Sequence, residues 1–470
     1  MPIGGRRRRR SRVLVIGLDC ASPSLVFDTF RDDLPHLRQL MAQGRWGVLR
    51  SCVPCITIPA WTSMFTSRDP GVLGIYGFRN RVGTDYGALA RADSRAVGRP
   101  RVWDTVSAAQ QTVVVANVPQ TYPVSPVRGA LISDFTTPST DHQFTHPAPL
   151  RVNVLQHHPN YRFDVGEFRT DDKAALEMRL YDVLECQYQV FDRLLETFDW
   201  SLAVHVNIGI DRVQHGFWRF HDTQHRRHEQ NRFSATIRAY YRWVDEWIGR
   251  LLRHADGATH ILVVSDHGVK RMDGAVALNE WLRLNGWLHL KAPLPEGVTR
   301  FDPSLVDWER TRAWSTGGYY GRVFLNVAGR EPQGIVSPTA VEETLDALVE
   351  QLGELCDEDG CPIPVCAMRP CEIYQAVHGT APDLLLYFGD LHWRTVGGLG
   401  YGRPITRDND IGPDDANHAE EGLYIWVPAL GTGAGRSEER QLMDVAPTIL
   451  EALRLPADPT HQGRSLFNLL

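Results

Sequence analysis

Acidic residues and histidines stand at the ends of three apolar runs in this sequence. These residues are Asp19, Asp211, Asp266 and His267. Carboxylate oxygens and neutral imidazole nitrogens are the ligands that divalent ions such as zinc or manganese take in proteins. Their chemistry would therefore be that of a metal site, provided that the fold brings the ends of the three runs together.

A second feature strengthens this interpretation. Asp211 and His215 are four residues apart, which places both on one face if a helical turn begins there. Taken singly, these signals are weak, because an Asp after a strand is most often a cap or a turn residue and an Asp/His pair at this spacing is more often a surface pair. Their joint occurrence after three apolar runs favours metal binding.

The apolar runs are the elements that must position these residues. Each is short and continuous, as in a strand that is buried on both faces of a parallel sheet. Since the carboxyl ends of parallel strands line one crevice, the acidic groups are expected to converge there. The runs cover residues 13–18, 112–116, 202–206, 260–265 and 384–388, and helical patterns cover 34–43, 174–198, 234–254, 278–285 and 443–453. This alternation predicts an α/β fold.

Length and composition limit the class of protein. The chain has 470 residues, of which 43% are hydrophobic and 23% charged, and this mixture excludes a disordered, collagen-like or heptad-dominated chain. The net charge of −6 argues against nucleic-acid scaffolding as the main role. A chain of this length is long enough for a large buried core.

The one strong local charge is the arginine run from Arg6 to Arg10, followed by Arg12. The apolar stretch behind it is too short for a signal peptide or a membrane span. We predict a disordered basic tail over residues 1–12, with nucleic-acid or membrane contact as the alternative. No other stretch has the length of a spanning helix, so the expectation is a cytoplasmic protein without a membrane partner.

The eight cysteines are too sparse for a disulfide scaffold. Cys52 and Cys55 have the spacing of a redox pair but lie in no thioredoxin-like pattern. A second series recurs every five residues, which is wider than the paired spacing of ordinary zinc sites. Free thiols are the simpler interpretation of this series, which consists of Cys356, Cys361, Cys366 and Cys371.

Six segments, taken together and in this order, resemble the alkaline phosphatase superfamily, and within it the branch of type I phosphodiesterases and nucleotide pyrophosphatases. The resemblance covers nearly the whole chain and is specific because the segments occur jointly. They are VLVIGLD at 13–19, PCITIPAWTSMFTSRDPGVLGIYGF at 54–78, DRVQHGFW at 211–218, VVSDHGV at 263–269, NHAEEGLYIW at 417–426 and DVAPTILEALRLPADPTHQGRSL at 444–466.

The resemblance implies an alkaline phosphatase-like fold, with a central, mostly parallel sheet, helices on both faces and cap insertions. It also implies two divalent ions, zinc first and manganese as the alternative, and a threonine nucleophile. One ion would lie among Asp19, Thr57, Asp266 and His267, and the other among Asp211, His215 and His418. Two neighbouring cations can stabilise both the attacking and the leaving oxygen of a phosphoryl transfer.

The sequence around Thr57 suits this role. Pro59 is a favoured first-turn residue, so Thr57 is expected close to a helix N-terminus, where free N–H groups can bind a phosphate. The alternative is that Thr57 only caps this helix. Sulfatases of the formylglycine type require the pattern C-x-P-x-R. In this chain the segment Cys52-Val-Pro-Cys-Ile56 has isoleucine at the arginine position, which disfavours that chemistry.

The substrate-binding residues depart from the family pattern. Nucleotide pyrophosphatases usually carry an asparagine some twenty residues after the nucleophile, and here the nearest amide is Asn80. Arg79 and Arg81 beside it could hold a second phosphate or a carboxylate, since guanidinium groups match both. The alternative is that these two arginines are ordinary surface residues.

Together these observations predict a two-metal phosphohydrolase with a small phosphorylated substrate and a phospho-threonine intermediate. Phosphodiesters or pyrophosphate-type bonds are favoured. The alternatives are a phosphomonoesterase, a phosphonate (C–P) hydrolase and a non-catalytic phospho-ligand-binding protein. Because the site residues span 19–418, we predict one catalytic domain over 13–470, with cap segments at about 120–172 and 290–380.

Overall fold

The computed structural model describes residues 10–429, 431 and 433–469, so residues 1–9 of the predicted tail lie outside the described residues. The strands, in chain order, are β1 Arg12–Leu18, β2 Arg45–Arg50, β3 Arg79–Arg81, β4 Leu89–Arg91, β5 Val113–Ala116, β6 Gly129–Ile132, β7 Thr145–His146, β8 Leu202–Asn207, β9 Thr259–Val264, β10 Gly268–Arg271, β11 Gly274–Ala277, β12 Ala313–Thr316, β13 Gly321–Leu325, β14 Val365–Met368, β15 Leu384–Phe388, β16 Trp393–Val396, β17 Ile405–Thr406, β18 Ala416–Ala419, β19 Glu421–Val427, β20 Gly435–Arg436 and β21 Arg440–Gln441.

The five predicted helices are confirmed to within a few residues, whereas several others were not predicted, including the 12-residue helix Val341–Leu352. The α-helices are α1 Pro35–Gln43, α2 Thr57–Thr66, α3 Pro70–Leu73, α4 Val102–Ala108, α5 Leu150–His157, α6 Lys173–Thr197, α7 Gly209–His221, α8 Thr236–Leu251, α9 Leu278–Leu284, α10 Val341–Leu352, α11 Pro370–Ile373 and α12 Val445–Ala452. Among the described residues, no helix combines the length and the apolar character that crossing a membrane requires.

A ten-stranded sheet forms the centre of the molecule, in the order β20-β2-β19-β9-β1-β8-β5-β6-β7, with β21 also paired to β2. Most of its pairs are parallel, including both pairs of β1, with β8 and with β9. Alternate residues of β1 enter two separate cores: Leu14 and Ile16 pack with α1, α6, α7 and α8, whereas Val13 and Val15 pack with α2, α4 and α12. The predicted α/β fold with helices on both faces is confirmed.

The three acidic strand ends are neighbours because β8, β1 and β9 are adjacent and parallel. Asp19 follows β1, Asp211 lies in the first turn of α7 just after β8, and Asp266 follows β9. A fourth segment reaches the same edge through the antiparallel pair of β10 and β18, in which Val269 lies opposite His418. Residues that are up to 399 positions apart along the chain (Asp19 to His418) thus meet at one edge of the sheet.

A second sheet, of seven strands, has the order β12-β13-β15-β16-β11-β17, with β14 paired to β15. Its core includes Trp314, Phe324 and Leu386. The apolar run at 384–388 is a strand, but it lies in this sheet and not beside β1. The segment predicted as a cap at 290–380 contributes β12, β13, β14 and α10 to this part of the molecule, whereas the segment at 120–172 places β6 and β7 at the edge of the central sheet.

Candidate metal centre

The imidazole of His267 is the centre of the first group of predicted ligands. Its Nε2 atom lies 3.2 Å from Oδ2 of Asp266, 3.7 Å from Oδ1 of Asp19 and 3.4 Å from Oγ1 of Thr57. All four side chains are buried. The structure therefore brings together the four residues that the resemblance assigned to one ion.

The second group is centred on Oδ1 of Asp211. This atom lies 3.2 Å from Nε2 of His215 and 3.5 Å from Nε2 of His418, and the two Nε2 atoms are 3.2 Å apart. The two groups adjoin, because ligand atoms of Asp19, Asp211 and His267 also lie within 4.8 Å of one another. Asp211 is therefore common to both groups.

In each of the three histidines the Nδ1 atom has an oxygen partner, which leaves Nε2 for the centre of the site. In His215, Nδ1 lies 2.7 Å from Oδ1 of Asp414. In His418 it lies 3.1 Å from the carbonyl oxygen of Cys55, and in His267 it lies 3.1 Å from the carbonyl oxygen of Gly268. An oxygen acceptor at Nδ1 favours a proton on that nitrogen, so Nε2 is the atom that faces inward and would bind a metal in its unprotonated form.

The carboxylates, like the histidines, leave atoms available to bind a cation. One oxygen of each of Asp19, Asp211 and Asp266 is buried and has no hydrogen-bond partner among the described residues. Burial, and then repulsion from a neighbouring carboxylate, raises the pKa of both Asp19 and Asp266 well above the ordinary value. Unpaired buried carboxylate oxygens are costly, and a divalent ion would relieve that cost. This set of oxygens and imidazole nitrogens fits two divalent ions.

Thr57 is the first residue of α2, as its sequence context predicts. The residue before it, Ile56, has an extended backbone and a side chain that cannot accept a hydrogen bond, and no side chain caps this helix. The positive end of the helix dipole and the first-turn N–H groups therefore remain for an anion beside the threonine hydroxyl.

A comparison of the sequence with known families now decides the assignment. The profile of the type I phosphodiesterase / nucleotide pyrophosphatase family matches residues 13–414. The chain belongs to this family. It is accordingly a hydrolase of phosphoric esters, and the match includes every predicted site residue except His418.

Solved structures share the fold of this phosphodiesterase-family chain. One is a phosphonoacetate hydrolase from Sinorhizobium meliloti 1021 in complex with phosphonoformate, with a TM-score of 0.59 and 15% identity over 97% of this chain and 98% of that chain. Another is murine ectonucleotide pyrophosphatase / phosphodiesterase 5, in an inactive form with AMP, with a TM-score of 0.54 and 13% identity over 98% of both chains. A search of curated protein sequences finds no significant match.

The sequence analysis missed the residues that support the second ligand group. Asp414 binds His215 and also accepts hydrogen bonds from the Tyr319 hydroxyl, at 2.8 Å, and from Nε of Arg169, at 2.8 Å. Tyr319 stacks on His215 with ring centroids 5.0 Å apart. The only signal for Asp414 in the sequence is its place three residues before the NHAEEG segment, and nothing in the sequence links Arg169 or Tyr319 to it.

Trp61, in α2, supports the first group. Its indole N–H donates to Oδ2 of Asp19 at 2.6 Å. The ring can approach because β1 has Gly17 at this point: a Cβ atom there would lie 2.7 Å from the Trp61 ring. The missing side chain at position 17 and the large one at position 61 together orient the ligand Asp19.

The predicted substrate-binding residues do not share one environment. Asn80 accepts a hydrogen bond from the backbone N–H of Tyr76 at 2.7 Å, so its amide oxygen holds its own loop. Arg81 is buried, pairs with Glu331 at 2.7 Å and donates its remaining nitrogens to backbone carbonyls, which leaves none for a ligand. Arg79 is exposed and lines a pocket beside Ile58. Of the three, Arg79 is the one that lines this pocket.

The cysteines stand apart from the site chemistry. All eight are free, and burial raises the pKa of Cys55 to about 12, which disfavours the thiolate that redox chemistry requires. The four cysteines from Cys356 to Cys371 are exposed. Within the described residues, no group of potential metal ligands contains a cysteine. Free thiols remain the interpretation of this series.

Proposed function

We propose that this phosphodiesterase-family chain is a two-metal hydrolase that cleaves phosphodiester or pyrophosphate-type bonds through a phosphorylated Thr57. The observation that carries the proposal is the position of the Thr57 hydroxyl. It lies at the uncapped N-terminus of α2 and 3.4 Å from Nε2 of His267, within a buried set of unpartnered carboxylate oxygens.

In this proposal Asp19, Asp266 and His267 with Thr57 hold one divalent ion, and Asp211, His215 and His418 hold the other. Bound there, the ions would favour the alkoxide form of threonine and neutralise charge on the leaving oxygen. Zinc fits the mixture of carboxylate and imidazole ligands, and manganese is the alternative.

The reaction has two displacements at phosphorus. In the first, Oγ1 of Thr57 forms a bond to phosphorus as the ester P–O bond breaks, and the hydroxyl proton ends on the departing alcohol. In the second, water forms a P–O bond as the bond to Thr57 breaks, which releases a phosphomonoester and restores the hydroxyl. The first-turn N–H groups of α2 bind the phosphoryl oxygens in both steps.

The compared structures support the choice of substrate class. The murine protein was solved with AMP and is described as inactive with its threonine replaced by alanine, which matches a diesterase with a threonine nucleophile. The other structure belongs to a phosphonoacetate hydrolase, so cleavage of a C–P bond is the second candidate. A phosphomonoesterase needs the same ligand set and differs in what covers the site.

The test is hydrolysis of bis(4-nitrophenyl) phosphate, 4-nitrophenyl phosphate and phosphonoacetate by protein loaded with zinc or manganese. We expect turnover of the diester to exceed that of the other two. Thr57→Ala should lower it by at least about 10³-fold while metal content stays at two equivalents. Thr66→Ala is the matched control, since that hydroxyl lies in the same helix and, among the described residues, binds only the Thr62 carbonyl. An active Thr57→Ala protein would exclude the covalent route.

A further inference from the structure

A small pocket opens beside the first turn of α2. It has a volume of about 200 Å³ and is lined by Ile58 and by Phe78 and Phe135, whose ring centroids lie 6.2 Å apart. The guanidinium of Arg212, which binds the carboxylate of Asp211, lies 5.5 Å over the ring of Phe135. The pocket thus borders the helix that carries the proposed nucleophile, and one of its lining rings, Phe135, contacts the arginine that binds Asp211.

Two arginines on one hairpin line the same pocket. In the pair of β3 and β4, Arg79 lies directly opposite Arg91. One position outward, the N–H of Ala92 donates to the carbonyl of Phe78, which makes Arg79 and Arg91 a non-hydrogen-bonded pair. Such pairs have Cα atoms about 4.5 Å apart and bring their side chains closest together.

Like charges that face each other across a hairpin are unfavourable unless an anion lies between them. Within the described residues, neither arginine has a carboxylate partner, and the only hydrogen bond from either side chain runs from Arg91 to the Thr136 carbonyl at 3.4 Å. None of the residues that line the pocket is acidic. Arg81, two positions along the same strand, shows the contrast, because it is fully paired with Glu331.

We propose that Arg79 and Arg91 together bind a second anionic group of the substrate, a carboxylate or a phosphate, while Phe78 and Phe135 contact the apolar part that carries it. The substrates would then be phosphoric esters whose non-reacting substituent bears its own negative charge. This inference rests on the proposed function for its position beside Thr57, and it adds what that function leaves open, the chemistry of the substituent.

Binding and turnover test this proposal separately. Calorimetry on metal-loaded protein compares phenyl phosphate with 4-carboxyphenyl phosphate and 4-phosphonophenyl phosphate. Hydrolysis compares 4-nitrophenyl phenyl phosphate with its analogues that carry a carboxylate or a phosphonate on the phenyl ring, all of which release the same nitrophenolate. We expect the wild-type protein to prefer at least one charged form by about tenfold or more, in Kd and in kcat/KM, and the favoured arm identifies the anion.

The variant Arg79→Gln/Arg91→Gln should bring this preference close to one, and Arg79→Lys/Arg91→Lys should keep part of it. Because the preference is the ratio of the values measured for a charged and an uncharged ligand, a general loss of activity affects both values and leaves the ratio unchanged. Arg95→Gln is the matched control. This exposed arginine follows the same hairpin but, unlike Arg79 and Arg91, is paired with a carboxylate, that of Asp93. The preference of the wild-type protein should also fall as salt is raised, a measurement that needs no variant.

Equal binding of charged and uncharged ligands by the wild-type protein would overturn the inference, as would a preference that survives in the double glutamine variant. Failure of the proposed function has a different signature, namely no nitrophenolate from any ester. If charged ligands still bind more tightly through Arg79 and Arg91 in that case, the anion site stands without the diesterase.

Discussion

The two halves of the candidate metal centre are built in different ways. The group of Asp19, Asp266 and His267 has two carboxylates with no Lys or Arg side chain bonded to them within the described part of the chain, and its carboxyl pKa values are raised. In the other group, His215 and Arg212 outweigh burial and hold the pKa of Asp211 well below its ordinary value. The first half lacks the counter-charge that a cation would supply, whereas the second half is largely balanced by the protein itself.

The supports of the two halves differ as well. Trp61 and the backbone N–H of Cys20 bind the carboxylates of the first half. Trp61 lies in the helix α2, which packs on the central sheet, and Cys20 lies two residues after the end of β1. The second half depends on Asp414 and on Tyr319, which comes from the loop between two strands of the second sheet. We infer that the first half is set by the central fold and the second half by the docking of the two sheets.

The largest effect is expected from removal of a carboxylate in the half that lacks counter-charge. Asp266→Asn should lower diester turnover by more than about 100-fold, because ligand loss should exceed the 10–100-fold that partners of ligands typically cost. Metal analysis should find one equivalent in place of two. Retention of both ions would show that the two halves do not differ in this way.

A smaller effect is expected in the other half from Asp414→Asn, which weakens the hydrogen bond to Nδ1 of His215 and leaves Arg169 without its charged partner. Affinity for one of the two ions should fall about 10–100-fold, as measured by competition with a chelator, while the other ion is retained. Asp408→Asn is the control, since that carboxylate is exposed and its one ion pair within the described residues is with Arg227. Equal loss of both ions would contradict the division into halves.

The variant Trp61→Phe tests the hydrogen bond that supports Asp19 in the first half. The change removes the indole N–H bonded to Asp19 but keeps an aromatic ring against Gly17, so we expect a loss of about 1–2 kcal/mol in stability and a several-fold loss of activity. Trp103→Phe is the matched control, because Trp103 lies in the same core and its indole nitrogen has no partner among the described residues. If both variants lose the same activity, the bond to Asp19 has no role in orienting that ligand.

The two halves also differ in how far the sequence could predict them. The candidate ligands Asp19 and Asp266 follow apolar strands closely, so the position of each strand end was sufficient to predict that they lie at one edge of the sheet. Asp414 and Tyr319 gain their roles from the pairing of β10 with β18 and from contact between two sheets, which no local pattern encodes. For the same reason the run at 384–388 was recognised as a buried strand but not assigned to its sheet: continuous apolar character indicates burial on both faces and says nothing about the neighbouring strand.

His205 is a buried histidine outside the metal centre, and it sharpens the comparison between burial and function. It lies in β8 between Tyr188 and Phe191, with ring centroids at 4.8 Å and 5.0 Å, and neither ring nitrogen has a partner among the described residues. Burial lowers the pKa of His205 to about 3. The three site histidines are equally buried, yet each has an oxygen partner at Nδ1. Burial alone therefore does not mark a ligand.

The smallest effect on activity is accordingly expected from His205→Leu, which should show instead in the pH dependence of stability. The unfolded chain protonates this histidine below about pH 6.5, whereas the folded chain keeps it neutral down to about pH 3, so the wild-type protein loses stability as the pH falls through that interval. The loss from this one group amounts to about 2 kcal/mol at pH 5. Denaturant unfolding at pH 7 and pH 5 should therefore show a smaller drop for the variant, and an identical drop would mean that His205 takes up its proton without unfolding.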